Sequence, residues 1–232
     1  MNDRSPDASA TRPRLVRLRM AGATLSGRIA AALAAAIALA AAAVVTQAFG
    51  ATWVQMPMLV GPIGASAVLA FAVPTSPLAQ PWSVVGGNSV SALVGWGVAI
   101  TVPDAALAAG LAVGLAIVAM TLIRALHPPG GATALTAVLL YHDGGGSWLV
   151  PLLPIAINSV VLVAVAWAFH RTQRRSYPHR PAPHLPGTAD LFHPDDIRAA
   201  VADMGDPFDI THRDLEAILE RAAHHRSIRA RR

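Results

Sequence analysis

Two short segments of the chain share an order of residue types that suits the binding of a small polar solute. Pro62–Val68 (PIGASAV) and Pro129–Leu135 (PGGATAL) each have proline first, glycine third and a hydroxyl residue fifth, at an offset of 67 positions. Glycine lets a ligand approach the backbone, and the hydroxyls of Ser66 and Thr133 donate or accept hydrogen bonds. A helix that begins in such a segment also presents unpaired N–H groups and the positive end of its dipole. These features predict a site for a small anion without any Lys or Arg.

The predicted substrate-binding residues lie in or near these segments: Gly64, Ala65, Ser66, Asn88, His127, Gly130, Gly131, Thr133 and Asn158. His127 precedes two prolines, and its predicted role is either to bind a backbone carbonyl or to contact substrate and exchange protons. Asn88 and Asn158 lie in apolar stretches, where amides hydrogen-bond to neighbouring helices and in some proteins contact solute. The alternative for the whole pattern is close helix packing through small residues.

The elements that position these residues are predicted to lie in a membrane. The chain has 232 residues, of which 54% are hydrophobic and 13% charged, and it has no cysteine. Residues 29–169 contain only three charged side chains, Asp104, Arg124 and Asp143. This composition excludes a single soluble domain, a disordered chain, a disulfide framework and a cysteine-ligated metal site. Membrane lipid is the expected partner, and neither a nucleic-acid partner nor a cofactor is expected.

Six apolar stretches predict an all-α fold, a polytopic helical membrane bundle. They are Ile29–Phe49, Met56–Val73, Ser83–Thr101, Ala105–Ile123, Pro128–Tyr141 and Trp148–Phe169. The second and fifth begin with prolines and glycines, so each is expected to be a broken helix that follows irregular backbone at membrane depth. The predicted domains are a basic tail at 1–28, the transmembrane domain at 29–169, a linker at 170–190 and a helical tail at 191–232.

The arginine residues predict the orientation of these helices. Clusters at 12–28 and 171–175 flank the first and last stretches, which places both termini in the cytoplasm, at the inner or plasma membrane of a prokaryote. Six crossings then put Arg124 inside and both Asp104 and Asp143 outside. The alternative is four crossings with two re-entrant segments, which would put Arg124 outside.

A second sequence match indicates an internal repeat. Asn88–Val90 and Asn158–Val160 both read Asn-Ser-Val, at an offset of 70 positions. Each half then contains a full helix, a Pro/Gly-broken helix and a full helix, and three crossings per half invert the second copy. Two inverted three-helix repeats are typical of secondary transporters, whose substrate site lies between the paired broken helices. Chance matching in a chain rich in alanine and glycine is the alternative.

Two blocks of the sequence resemble the HPP family of integral membrane proteins. They are Leu126–Leu135 (LHPPGGATAL) and Gly64–Leu69 (GASAVL), the second followed by Ser76–Pro81 (SPLAQP) and Gly86–Asn88 (GGN). The resemblance covers about residues 25–178 and implies a small helical membrane domain. Some plastid and cyanobacterial-type members are described as nitrite carriers. The family commonly has Arg-Asn after the SPLAQP block, where this chain has Trp-Ser, a departure that also suits a different solute.

The C-terminal tail resembles the segment that precedes the CBS pair in HPP–CBS members, and no CBS domain is expected in the sequence that follows it here. Pro194–Asp196 and Thr211–Asp214 are typical starts of helices. No intramembrane carboxylate, metal triad or nucleophile–base pair at helical spacing indicates an enzyme. The leading hypothesis is a transporter or channel for a small anion such as nitrite. The alternative is a membrane-embedded sensor or anchor for a cytoplasmic regulatory partner, and homo-oligomerisation stays open in both.

The predicted topology can be tested by labelling, because the chain has no cysteine of its own. We expect cysteines introduced at Asp104 and Asp143 to react with a membrane-impermeant maleimide added to intact cells. A cysteine near the C-terminus serves as the control and should react only after permeabilisation. If both introduced cysteines require permeabilisation, the orientation is wrong.

Overall fold

The six predicted stretches are all helices in the computed structural model, which describes residues 25–48, 50, 56–144, 146–181, 193–204 and 209–230. The membrane helices are α1 (Leu25–Ala48), α2 (Met56–Ala72), α3 (Pro81–Ala99), α4 (Ala105–Leu122), α5 (Pro129–His142) and α6 (Leu149–Thr172). A short 3-10 helix, Pro77–Ala79, precedes α3. The described residues contain no strand, and the predicted all-α membrane bundle is confirmed.

Three of these helices, α1, α4 and α6, are long and apolar enough by length and composition to cross a membrane. The buried residues of α4 recur every four positions, at Ala108, Ala112, Ala116 and Met120, so one face packs against the protein. The other faces expose large apolar side chains such as Leu107 (58%), which suits contact with lipid. The 14 residues of α5 would rise about 21 Å, which is less than the ~30 Å hydrocarbon thickness.

The path of α2 differs from the expectation for a broken helix. This helix begins at Met56 and continues through Pro62, so the segment Pro62–Val68 lies inside it. A proline removes one N–H donor, and membrane bundles tolerate this where neighbouring groups satisfy the freed carbonyl. The expected irregular backbone is observed ahead of α5, at residues 123–128.

The six helices pack as two interleaved groups. Helix α3 packs against α4 and α5, whereas α6 packs against α1 and α2. Sequence neighbours α1 and α2 also pack together, as do α4 and α5, and the contacts of α2 with α5 and of α3 with α6 join the two groups. Suppose that α1 is exchanged with α4, α2 with α5 and α3 with α6. Each of these contacts then becomes another contact of the set or remains the same contact.

The end of α4 turns the chain toward the protein interior. Arg124 has a left-handed φ of 54°, and it occupies the position where a helix cap usually has glycine. The Ala125 N–H donates to the Met120 carbonyl at 2.8 Å, as a Schellman cap requires. The indole N–H of Trp82 donates to the Ile123 carbonyl at 3.1 Å. Together these contacts hold the turn that leads to His127.

The tail contains two further helices, α7 (Pro194–Met204) and α8 (His212–Ala230), which pack on each other. Thr211 caps α8, since its hydroxyl oxygen accepts the Asp214 N–H at 3.1 Å. Helix α1 already begins at Leu25, within the predicted basic tail, and α6 continues to Thr172, within the predicted linker. The rest of the basic tail and positions 182–190 of the linker lie outside the described residues.

The packing of α3 on α5 requires glycine at position 95. A Cβ atom there would lie 2.2 Å from the Ala134 carbonyl oxygen, so Gly95→Ala should lower the free energy of unfolding by about 1–3 kcal/mol. Gly97 on the same helix has no described atom within 4 Å of such a Cβ. Gly97→Ala is therefore the control, and it should leave stability unchanged or raise it by up to about 1 kcal/mol. Unfolding in mixed micelles measures both, and equal stabilities would contradict the contact.

Candidate functional site

Four of the predicted site residues meet in one buried group of polar side chains. Ser66 of α2, Asn88 of α3, His127 of the α4–α5 connection and Thr133 of α5 are joined by hydrogen bonds, together with Ser159 of α6. We call these five residues the Asn88 cluster. All five are 0% exposed. Residues far apart in sequence thus form a single site between four helices.

Asn88 is the centre of the cluster because its amide bonds to three other helices. Its Nδ2 donates to the hydroxyl oxygens of Ser66 at 3.1 Å and of Ser159 at 3.2 Å. Its Oδ1 accepts the Thr133 hydroxyl at 2.9 Å. Helices α2, α5 and α6 are therefore each tied to α3 through one side chain.

Both ring nitrogens of His127 are engaged. Nδ1 lies 2.8 Å from the Leu78 carbonyl oxygen, and because a carbonyl only accepts, Nδ1 carries the proton. Nε2 lies 2.8 Å from the Ser66 hydroxyl oxygen. A neutral ring accepts a hydrogen bond at Nε2, and a charged ring would be costly in this buried place. The observed contact with Leu78 matches the predicted carbonyl-binding role.

The Ser66–His127 contact also has the atom types of a nucleophile–base pair, which the sequence did not reveal. The two residues lie 61 positions apart in sequence. However, the Ser66 hydroxyl oxygen also accepts the Asn88 amide, and the side chain is fully buried. In the observed packing this oxygen is therefore closed to any substrate, as is the rest of the cluster.

Two glycines allow the cluster to assemble. A Cβ atom at Gly87 would lie 2.7 Å from the Cβ of His127. One at Gly130 would lie 2.6 Å from the sulfur of Met120 and 2.7 Å from the Ser91 hydroxyl oxygen. Glycine at these two positions therefore lets the α4–α5 connection and the first turn of α5 contact α3 closely.

Ser91 is a buried polar residue that the sequence analysis missed. It is 0% exposed, and its hydroxyl has no hydrogen-bond partner among the described residues. The side chain faces the first turn of α5 at Gly130. Asn88, Ser91 and Gly95 follow one another at helical spacing, and this polar and small-residue stripe was the available signal. Ser91 provides a free donor beside the cluster.

The first turn of α5 differs from the expected anion site. The N–H of Gly130 donates to the His127 carbonyl at 2.8 Å, and that of Gly131 to the Pro128 carbonyl at 3.1 Å. Gly64 and Ser66 lie inside α2 and not at its start. The N–H groups of Gly130 and Gly131 are therefore already bonded, and Gly64 and Ser66 do not offer the free N–H groups of a helix start.

Three predicted residues point away from the cluster. Ala65 is exposed, and Gly64 is partly exposed, with Leu39 of α1 at 3.9 Å from an added Cβ. Gly131 is partly exposed and faces Val113 of α4, whose methyl carbon would lie 3.6 Å from an added Cβ. Gly64 and Gly131 therefore contact neighbouring helices, whereas Ala65 lies on the surface of the bundle.

Asn158 belongs to a separate buried pair between α1 and α6. Its Nδ2 donates to the Thr46 hydroxyl oxygen at 2.7 Å, and its Oδ1 has no hydrogen-bond partner among the described residues. The next residue, Ser159, reaches the cluster instead. The repeated Asn-Ser-Val pattern thus lies in the turn of α6 that contacts Asn88. The contact itself is made by Ser159, the residue after Asn158.

The Asn88 cluster contains neutral donors and acceptors only. Its amide, hydroxyls and imidazole can exchange hydrogen bonds with a small polar molecule. In the part of the chain that the structure describes, no group of three His, Cys, Asp or Glu side chains could hold a metal ion. The chemistry available here is therefore hydrogen bonding to a solute.

The apolar, exposed helices and the buried polar cluster define an integral membrane protein of the polytopic helical class. Residues 20–178 match the family described as "HPP, transmembrane region". The chain therefore belongs to the HPP transmembrane family.

Two transmembrane proteins of Dictyostelium discoideum are similar to it. One is 37% identical over 129 residues, which is 53% of this chain and 45% of the relative. The other is 39% identical over 125 residues, which is 52% of this chain and 40% of the relative. The matched region thus covers less than half of each relative. No solved structure matches the chain.

We expect the free energy of unfolding to depend on the Asn88 side chain and not on the Ser91 hydroxyl. Asn88→Ala removes three interhelical hydrogen bonds, and at about 0.6 kcal/mol each it should lower the free energy of unfolding by about 2 kcal/mol. Ser91→Ala removes an unpaired buried hydroxyl and should raise it by about 1 kcal/mol. Unfolding in mixed micelles compares the two variants. A larger loss for Ser91→Ala would contradict the observed hydrogen bonds.

Proposed function

We propose that this HPP family protein is a membrane transporter or channel for a small polar solute that binds at the Asn88 cluster. The supporting observation is that Ser66, Asn88 and Thr133, from three helices, converge on one another in a domain whose buried residues are mostly apolar. Buried polar groups in a membrane domain are costly and are commonly part of substrate pathways. A cluster kept only for packing would be replaceable by apolar residues.

A small anion such as nitrite is the solute that we favour. The amide of Asn88 and the hydroxyls of Ser66 and Thr133 are hydrogen-bond donors, and none of the cluster residues is an acid that would repel an anion. The hydroxyls now donate within the protein, for example from Thr133 to Asn88, and each can rotate toward a solute. Because a buried charge is costly, several donors must converge on the anion and retained water must help.

The helix contacts support an inverted-repeat arrangement. Exchange of α1, α2 and α3 with α4, α5 and α6 maps most of the observed contacts onto one another, and the small α5–α6 contact, which has no comparable α2–α3 counterpart, is the exception. The cluster lies at the α2–α5 and α3–α6 contacts. Each of these two contacts pairs a helix with its own counterpart in the other half, so the exchange leaves it unchanged. In transporters built from inverted repeats, the substrate lies between the repeats, which rock against each other. Asn88 on α3 and Ser159 on α6 are then the residues that such a movement separates.

Entry of the solute requires the observed cluster to open. All of its side chains are fully buried, so the structure corresponds to a closed state of the proposed pathway. His127 bonds to the Leu78 carbonyl on one side and to Ser66 on the other. Rotation of its ring away from Ser66 would free that hydroxyl for the solute. His127 is therefore the proposed gate residue of the site.

A membrane-embedded sensor or anchor is the second candidate function, and one observation favours it. The tail contacts the membrane domain directly, since the Ser76 hydroxyl donates to Asp209 at 2.6 Å. A tail docked in this way can transmit the state of the membrane domain to a partner. A domain that moves no solute while its tail still docks would support this second function.

The transport proposal is tested by solute flux into proteoliposomes that contain the full chain. Nitrite, nitrate, formate and bicarbonate are offered separately, and nitrite is expected to enter faster than in protein-free vesicles. Thr133→Val removes the hydroxyl that donates to Asn88 while it keeps the side-chain shape, and it should lower nitrite flux about tenfold, for a loss of about 1.4 kcal/mol.

Thr121→Val on α4 is the matched control for this test. The Thr121 side chain is exposed, and its hydroxyl donates only to its own helix, at the Ile117 carbonyl. This variant should keep wild-type flux per folded molecule. Equal flux in both variants at equal amounts of folded protein would mean that the cluster serves packing and not transport.

A further inference from the structure

We infer that the C-terminal tail positions His127 through a chain of hydrogen bonds that crosses the α2–α3 connection, residues 73–80. The tail touches this connection on one side, and His127 touches it on the other. Asp209 and Ser76 are then positioning residues for the Asn88 cluster.

The outer part of the chain joins Asp209 to Ser76. The Ser76 hydroxyl donates to Asp209 Oδ1 at 2.6 Å, and its oxygen accepts the Leu78 N–H at 3.1 Å. The second of these bonds is the N-cap of the 3-10 helix Pro77–Ala79. Ser76 is only 1% exposed and Asp209 is exposed, so a carboxylate at the surface is the acceptor of a buried hydroxyl. The tail therefore holds the start of the 3-10 helix.

The inner part joins the same short helix to the cluster. The Leu78 carbonyl accepts from Nδ1 of His127 at 2.8 Å, and Nε2 of that ring contacts Ser66 at 2.8 Å. Leu78 thus bonds toward the tail with its N–H and toward the cluster with its carbonyl. Pro77, Leu78 and Ala79 form a single turn of 3-10 helix. A displacement of the start of this turn therefore also displaces the Leu78 carbonyl, which orients His127.

Residues that follow α6 hold the other end of the connection. Gln80 Oε1 accepts the His179 N–H at 2.8 Å, and the Tyr177 hydroxyl donates to the Ala79 carbonyl at 2.9 Å. Burial raises the pKa of the Tyr177 phenol, so the hydroxyl keeps its proton and remains a donor. His179 Nε2 in turn lies 2.8 Å from Asp214 Oδ1 at the start of α8. The tail therefore bonds directly to the membrane domain through Asp209, and through Asp214 it bonds to the linker residue His179.

This arrangement gives the tail a defined effect on the site. While the tail is docked, Leu78 holds His127 against Ser66 and the cluster stays closed. When the tail leaves, Ser76 loses its acidic partner, the 3-10 helix loosens and His127 is free to turn. The inference rests on the proposed function only for its consequence in transport, because the position of His127 can be measured directly.

The test reads the His127 ring by ¹⁵N NMR of the full chain in lipid nanodiscs. The chain has nine histidines, and His127→Gln assigns the signal. Asp209→Ala removes the acceptor of the Ser76 hydroxyl and is expected to shift the His127 signal. It should also speed amide exchange of residues 76–80 about two- to tenfold, the equivalent of one net hydrogen bond. Asp209→Asn keeps an acceptor oxygen and is expected to restore both wild-type values.

Asp195→Ala is the matched control in the same tail. The Asp195 carboxylate is exposed and pairs with Arg198 within α7, so this variant should change neither the His127 signal nor the exchange of residues 76–80. The inference is overturned if Asp209→Ala leaves the His127 signal unchanged, whatever happens to exchange. If Asp209→Ala shifts the His127 signal but neither the wild-type protein nor any variant transports nitrite, the inference stands and the transport proposal fails.

Discussion

The structure depends on one constraint: a polar side chain buried in a membrane domain is costly unless it bonds to another polar group. Asn88 meets this constraint for four helices, because its amide bonds to Ser66, Thr133 and Ser159. In surroundings without bulk water each lost partner leaves an unpaired group, so these bonds fix how α2, α5 and α6 sit against α3. The same groups are the ones that a polar solute needs. The proposed solute binding would therefore use the same donors as the packing of the helices.

Glycine makes this arrangement possible, because the polar atoms meet only where helices come close. Gly95 lets α3 touch the backbone of α5, and Gly87 lets the α4–α5 connection bring His127 against α3. His127 then joins the buried cluster to Leu78, in the connection on which the C-terminal tail docks. The close approach of the helix backbones thus allows hydrogen bonds to connect the buried cluster with the surface on which the C-terminal tail docks.

The sequence predicted the helices and much of the site, for different physical reasons. Apolar length identified all six helices, and the shared Pro-Gly-hydroxyl order led to Ser66 and Thr133, which do meet at Asn88. The continuation of α2 through Pro62 was not predictable, because neighbouring helices decide whether a proline breaks a membrane helix. Which residue of α6 faces the cluster depends on helix rotation, which the sequence does not determine, so Ser159 was not among the predicted site residues.

The central claim is that solute binds at Asn88, and NMR of the side-chain amides tests it most directly. Nitrite is titrated into the full chain in lipid nanodiscs, with chloride at the same ionic strength as the control. The account predicts a saturable shift of the Asn88 amide signal, while that of Asn158, bonded to Thr46 in a separate pair, stays in place. Nitrite transport with an unchanged Asn88 signal, or a saturable shift at Asn158 alone, would contradict it.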